Sequence, residues 1–357
     1  MAAPAERTAR PIDKRNQRHL VHAIVASTVG STIAWYDFFL YAFAATTVFG
    51  SLFFPSSNSF VSTLAALTTY VVGFAARPVG AALFGHLGDR IGRRATLIAT
   101  LLLMGLTTPL IGLVPTYSQI GVLGGIVLTL LRIVQGIGAG GEWAGSVLLP
   151  VEWGQRGRRG LIGSLPQVGV PVGLALAYGS LHVFTTWLGT DAGWRVPFLL
   201  GTLLVAAAVY IRLGVMETPA FTGLLEARRI EEAPVSQVLV RQWREVVLTA
   251  LLRTGQQTPF AILTVFVIGY ATGTLRLAQS DVTTYVVVAA AVSLVTVPFW
   301  GFLSDLVGRR RLVMIGAAAM LLWSYPFWAL LDTRTPLMVF LAIVAFAPIH
   351  DIQYGPQ

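Results

Sequence analysis

The sequence predicts an all-helical protein embedded in a lipid bilayer, and three observations carry that reading. Hydrophobic residues make up 55% and charged residues 11% of the 357 positions, at a mean hydropathy of +0.71; soluble domains carry about 25% charged residues. Apolar runs recur along the chain that reach or exceed the ~20 residues needed to cross a hydrocarbon core. The basic residues fall almost entirely on one side of those runs. There are no cysteines, which excludes disulfides, cysteine zinc sites and iron–sulfur ligation. The five histidines are scattered without an HExxH spacing, so no metal or other cofactor is expected.

Ten spans are expected, at 20–48, 60–85, 95–114, 120–150, 161–187, 193–213, 245–274, 282–302, 312–331 and 336–351. Residues 1–19 form a polar, basic tail followed by a long span, not by a short apolar core with a cleavage site, and so read as retained. The tail holds five Lys and Arg; the second, fourth, sixth (counting Arg212) and eighth gaps hold three, three, five and three. That makes nineteen, against only Arg276 and Arg334 in the other gaps. The positive-inside rule then places the N-terminus and the even-numbered gaps in the cytoplasm. The net charge of +9 is topology rather than a nucleic-acid surface.

Taken in order, the first span carries Asp37 inside WYDFFLY. An aromatic, apolar setting disfavours a charged carboxylate, which is what a proton carrier needs. The second span carries Arg77 followed by Pro78, close enough to the cytoplasmic face to snorkel, and a structural role is expected for it. Between the second and third spans lies GHLGDRIGRR, residues 85–94, with Gly85, Gly88, Asp89, Arg90, Gly92, Arg93 and Arg94. The fourth span contains RIVQGIGAGGEWAGSVLLPVE, residues 132–152. Arg132 falls near the bilayer midplane, where a bare charge costs between ~2.5 and well over 10 kcal/mol, so it must face the bundle interior and find a partner or an anionic ligand. Gly136 and Gly140 form a GxxxG that admits a neighbouring helix backbone. No strand precedes the overlapping GxGxxG, so a dinucleotide loop is dismissed. Glu142 lies ten residues further, roughly 15 Å at 1.5 Å per residue, too far to pair with Arg132. It is a second candidate proton carrier, the bland alternative being an interfacial acid bonded to an arginine of a neighbouring loop.

Spans five and six complete a first bundle, 20–213. The polar stretch 214–244 reads as a central cytoplasmic loop, and 245–357 as a second bundle of four spans. The two bundles are related: GFLSDLVGRR at 301–310, with Gly301, Asp305, Gly308, Arg309 and Arg310, repeats the first loop at an offset of 216 residues. Topology needs only the arginines of such a loop, so a recurring Asp and Gly pattern points to a gate. The same offset makes Arg253 in the seventh span the equivalent of Asp37, and Arg253 is the candidate partner for that carboxylate. Parallel halves of this kind are one of the repeat designs of secondary transporters.

GHLGDRIGRR resembles the signature loop of the major facilitator superfamily, and GFLSDLVGRR its second-half counterpart. RIVQGIGAGGEWAGSVLLPVEW, AWYDFFLYAF, FAARPVGAALFGHLGDRIGRR, GWRVPFLL, METPAF and HDIQYGPQ are similar to the metabolite:proton symporters of that superfamily, over nearly the whole chain. One departure stands out: the family usually carries a glutamate just before WYDF, where this chain has Ala34. The resemblance implies two six-helix halves, the second cut short here by about seventy residues or two helices, since position 357 is equivalent to 141. It also implies that Asp89 docks at an eleventh helix absent from these residues. Asp305 should dock at the start of the fifth span, near Leu161 to Ser164.

The expected function is proton-coupled symport of a small polar metabolite across the cell membrane by a monomer, with the small-molecule substrate, protons and lipid as its partners. Asp37, Arg132, Glu142 and Arg253 are the expected translocation residues, and the intramembrane arginines suggest a carboxylate-bearing or zwitterionic substrate. Two alternatives stand beside it: a non-transporting sensor or scaffold, or an inactive truncated transporter. An intramembrane aspartyl protease is disfavoured, because Tyr36–Asp37 has no GxGD in another span.

Overall fold

The computed structural model describes residues 14–154, 156–214 and 240–357. Most of the basic tail, the loop 215–239 and the side chain of Arg93 lie outside the described residues. Among the described residues ten long helices follow one another: α1 Gln17–Phe53, α2 Ser59–Ile91, α3 Arg93–Leu113, α4 Val122–Trp153, α5 Arg159–Leu188, α6 Arg195–Leu213, α7 Trp243–Ala261 continuing to Gly273, α8 Gln279–Val307, α9 Arg309–Asp332 and α10 Pro336–Tyr354. Nine of them are long and apolar enough to cross a membrane. The tenth, α7, has the length, but its first half carries Arg244, Glu245, Arg253, Gln256 and Gln257.

The middle of α1 sets the centre of the molecule. Every residue from Trp35 to Ala45 is buried, so the helix is enclosed on all faces, as a stretch apolar all round but for Asp37 requires. Small residues bring its neighbours close. A Cβ at Gly169 or Gly173 of α5 would lie 2.6 Å and 2.7 Å from backbone atoms of Thr32 in α1. On the opposite side the GxxxG of α4 meets α2: a Cβ at Gly136 would run into the Gly73 carbonyl, and one at Gly140 into that of Arg77. Arg195 ties α6 to the end of α3, donating to the carbonyls of Gly112 (2.7 Å) and Val114 (3.0 Å).

The 216-residue repeat is visible in the backbone. Gly92 and Gly308 open α3 and α9 at φ 103° and 101°, a conformation that only glycine adopts without strain. A π-turn interrupts α1 at Ala45–Phe49 and α7 at Ile262–Phe266, one residue off register. In α1 the hydroxyls of Thr46 and Thr47 both bond the Phe43 carbonyl, at 2.9 Å and 2.7 Å. Such side-chain competition for a helix carbonyl accompanies local widening.

The helices before and after 215–239 meet along α5 and α8, and again around Phe260. The ring of Phe260 lies 6.0 Å from Trp35 and 5.9 Å from Phe39 on one side, and 5.2 Å from His350 on the other.

Candidate functional site

Four helices converge on Arg132. Its guanidinium is 3% exposed, sits 4.3 Å from the centre of the Tyr41 ring, and fills the space that a side chain at Gly73 would occupy. Its NH1 donates to the Oε1 of Gln135, one turn along α4. A guanidinium can only donate, so this bond orients the Gln135 amide with its NH2 turned away. That NH2 donates to Thr108 Oγ1 of α3 at 2.9 Å. The threonine hydroxyl has two acceptors for its one proton, Asp37 Oδ2 at 2.7 Å and the Met104 carbonyl at 2.9 Å, and the carboxylate is the closer. The result is a polarised chain, Arg132–Gln135–Thr108–Asp37, crossing α4, α3 and α1. Asp37 is 1% exposed, and its Oδ1 has no hydrogen-bond partner among the described residues.

Glu142 has an arginine partner, as one of its two expected readings had it, but it is buried rather than interfacial and the arginine comes from a helix rather than a loop. Arg212 grips it with both terminal nitrogens: NH1 is 2.8 Å from Oε2, and NH2 bonds Oε1. Thr100 and Ser146 donate to the two oxygens at 3.1 Å and 2.6 Å. Glu142 and Arg212 are 0% and 2% exposed. This is a satisfied buried ion pair joining α4, α3 and α6. Arg212 was counted above among the cytoplasmic basic residues; its position in the last turn of an apolar helix was the only hint that it turns inward.

An open cleft lies between α1, α2, α4 and the first half of α7, lined by Ala34, Trp35, Tyr70, Phe74, Arg77 and Arg253 among others. Arg77 is held by rings: its guanidinium carbon lies 4.3 Å from the centre of Phe74, 4.4 Å from Phe38 and 5.5 Å from Trp35. Among the described residues it makes no hydrogen bond or ion pair. Cation–π contacts stabilise a cation but leave its N–H donors unused, so Arg77 presents an unfilled anion-binding group to the cleft. The sequence reading gave it a structural role.

Arg253 faces the same cleft, but it does not pair with Asp37 as expected. Its NH1 donates to Gln256 (2.8 Å) and Gln357 (2.7 Å). The reason lies in the repeat itself. Equivalent positions sit on opposite bundles across the cleft, and each is bound by the helices of its own bundle.

The loop residues divide. Asp305 accepts from the backbone N–H groups of Gly160 (2.7 Å) and Leu161 (3.0 Å) at the start of α5, with Arg309 3.8 Å away. The expected dock near Leu161 to Ser164 is met at Leu161 and extends one residue back, to Gly160. Gly160 has no room for a side chain against Ser304 and the Gly301 carbonyl. In the other loop, Asp89 is exposed and makes no hydrogen bond or ion pair among the described residues. Arg94 holds the end of α6 through the Leu213 carbonyl at 2.6 Å. Arg90 and Arg310 are exposed, Gly88 packs near Thr96, and Gly85 faces open space.

Comparison with known proteins agrees with this architecture. A family model described as Major Facilitator Superfamily matches residues 28–349. The chain is 37% identical over 357 residues to the inner membrane metabolite transport protein YhjE of Escherichia coli, covering 97% of this chain and 80% of that one. It is 35% identical to the shikimate transporter of the same organism, over 92% and 77% of the two chains. It is 30% identical to the glycine betaine/proline/ectoine/pipecolic acid transporter OusA of Dickeya dadantii, over 93% and 69%. Among solved structures, the proton:xylose symporter XylE bound to 6-bromo-6-deoxy-D-glucose superimposes with a TM-score of 0.77 at 18% identity, over 96% of this chain and 81% of that one.

Proposed function

The chain belongs to the major facilitator superfamily, and on that premise we propose that it carries a small carboxylate-bearing or zwitterionic metabolite together with protons, by alternating exposure of the central cleft. It is a multi-pass membrane transporter and not an enzyme. The observation that carries the finer reading is that two unlike groups line one small cavity next to the cleft: Asp37 and Arg77 both face it, and Arg77 also lines the cleft. Arg77 offers an unfilled guanidinium, and Asp37 offers a buried carboxyl with one oxygen unbonded. The first binds a carboxylate bidentately; the second exchanges a proton.

The chain of bonds from Arg132 to Asp37 supports this division of labour. With Asp37 ionised, Thr108 donates to it and the Arg132 charge offsets it at a distance. With Asp37 protonated, its proton can sit on Oδ1 without displacing Thr108. Loading and unloading therefore need no rearrangement of the helices. Glu142, by contrast, would have to break two guanidinium bonds to accept a proton, so we assign it to holding α4, α3 and α6 together. The Asp305 dock serves as one latch of the gate, since a carboxylate at a helix N-terminus stabilises by up to ~2 kcal/mol in a partly buried setting.

The halves that rock are 20–213 and 245–357, joined by 214–244, with the N-terminus cytoplasmic, in the cell membrane and as a monomer. The cleft is lined by residues from the first half of α7, the end next to the basic central loop, so this conformation faces the cytoplasm. Uptake into proteoliposomes tests the reading, with shikimate and glycine betaine as probes, with and without an inward proton gradient. Accumulation of either probe that needs the gradient is the expected result. Equal uptake of a probe with and without the gradient would show facilitated diffusion instead.

A further inference from the structure

The second bundle contains a polar chain built on the same plan as the first, and nothing above uses it. Arg253 and Gln256 on α7 repeat the Arg-x-x-Gln spacing of Arg132 and Gln135 on α4. Arg253 NH1 lies 2.8 Å from Gln256 Oε1. Gln256 Nε2 lies 2.6 Å from His350 Nε2 on α10. His350 Nδ1 lies 3.4 Å from Asp351 Oδ1, and Thr296 of α8 donates to Asp351 Oδ2 at 2.5 Å. Gln256, His350 and Asp351 are 1%, 3% and 2% exposed. The imidazole is stacked on Phe260, Phe346 and Tyr354, with ring centres 5.2 Å, 5.7 Å and 5.5 Å away.

The donor inventory leaves one assignment. Arg253 only donates, so the oxygen of the Gln256 amide must face it and the NH2 must face His350. The imidazole nitrogen it meets, Nε2, must then accept and cannot carry a proton. The single ring proton sits on Nδ1, pointing at the Asp351 carboxylate. A second proton arriving at Nε2 would meet the amide NH2 head on. It can be accommodated only if the Gln256 amide turns by half a rotation, offering its oxygen to His350 and its NH2 to Arg253. Two donors would then face each other, and the Arg253–Gln256 bond is lost.

We propose that His350 and Asp351 form a second proton-binding site, separate from Asp37, and that the Gln256 amide couples its occupancy to Arg253 at the wall of the cleft. A proton on His350 Nε2 removes the Gln256 hydrogen bond from Arg253 and leaves its NH1 on Gln357, and an anion that draws Arg253 off Gln256 frees the amide to turn and His350 to take the proton. Proton and anion thus favour each other's binding, as linkage requires. The charged and titratable groups around the imidazole are few: Arg253 from α7, and Asp351 and Tyr354 from α10. The facing residues of α5 and α8, such as Leu174, Ser293 and Thr296, are uncharged. The proposal depends on the transport reading only in taking an anion to reach Arg253.

The test is made on the purified full chain in lipid nanodiscs with nitrogen-labelled histidine, the His350 signals being assigned by loss in His350→Gln. Ring-nitrogen magnetic resonance at about pH 8 should show the proton on Nδ1 and a bare Nε2, and titration to about pH 5 should add a proton at Nε2. Arg253→Gln should raise the midpoint by about one unit, tenfold in proton affinity. In a Gln256→Met background the same change should raise it by less than half as much, because the amide that transmits it is gone. A proton on Nε2 at the alkaline end overturns the proposal, and that measurement needs only the unmutated protein. An unchanged His350 across this pH range also overturns it, as does an Arg253 effect of equal size with and without Gln256. Asp37→Asn should leave the His350 titration intact, so failure of Asp37 as the first proton site would be read separately, in the liposome uptake.

Discussion

At the scale of single residues, Asp37 and Glu142 are both carboxylates buried in one bundle, and their partners separate them. Asp37 receives one neutral hydroxyl and keeps an oxygen unbonded. Asp37→Asn is therefore expected to remove proton-driven accumulation while substrate exchange across liposomes continues; accumulation at the normal level would remove Asp37 from the proton path. Glu142 is closed by Arg212, Thr100 and Ser146. Breaking such a buried pair from one side leaves an uncompensated charge and costs about 3–5 kcal/mol, whereas replacing both members can be close to neutral. Glu142→Gln should thus lower the thermal unfolding temperature sharply, and the double variant Glu142→Leu/Arg212→Met should recover most of it. Equal instability of the single and double variants would count against a purely structural pair. Arg132 orients Gln135 and through it Thr108, so Arg132→Ala should impair coupling more than substrate binding. Binding measured by calorimetry beside uptake in liposomes would show the split, and full uptake by a correctly inserted Arg132→Ala protein would contradict it.

At the scale of helices, close approach follows from missing side chains. The Gly136 and Gly140 face of α4 lies against the backbone of α2 at Gly73 and Arg77. Gly140→Val has no flexible atom to displace, only the Arg77 carbonyl, so α2 must shift. The expected outcome is loss of the monodisperse peak in size-exclusion chromatography. Gly85→Ala, which faces open space on the same helix α2, should leave that peak unchanged and serves as the control. The spacing of these glycines was legible in the sequence; which helix they meet was not. The same holds for the lone cations. Arg132 declared itself by depth, because a charge at mid-span demands an explanation. Gln135 and Thr108, which carry its influence to Asp37, are ordinary residues in their helices and become notable only when α3 and α4 are seen side by side. For Arg77 the sequence gave the cation and its depth, but not the rings of Phe38 and Phe74 that hold it.

At the scale of the whole molecule, the Asp305 dock and the packing of Gly160 on Ser304 close one side of the contact between the two sets of helices. Asp305→Ala removes the carboxylate that accepts from Gly160 and Leu161 and should lower the transport rate in liposomes while the protein stays monodisperse. Transport at an undiminished rate by that variant would mean that this contact is not a latch of the cycle. The sequence by itself determined the helical class, the positions of the spans, the expected side of the basic loops and the 216-residue repeat. Each follows from a local cost, either of placing polar groups in hydrocarbon or of turning the chain sharply, and a local cost is written in neighbouring residues. The partners were decided only by the tertiary structure. The sequence offered Arg253 to Asp37 and left Glu142 open, and folding gave Thr108 to the first and Arg212 to the second. A buried polar group takes whichever complementary group the packing of helices brings within three ångströms or so, and that choice depends on crossing angles and rotations that no single span encodes.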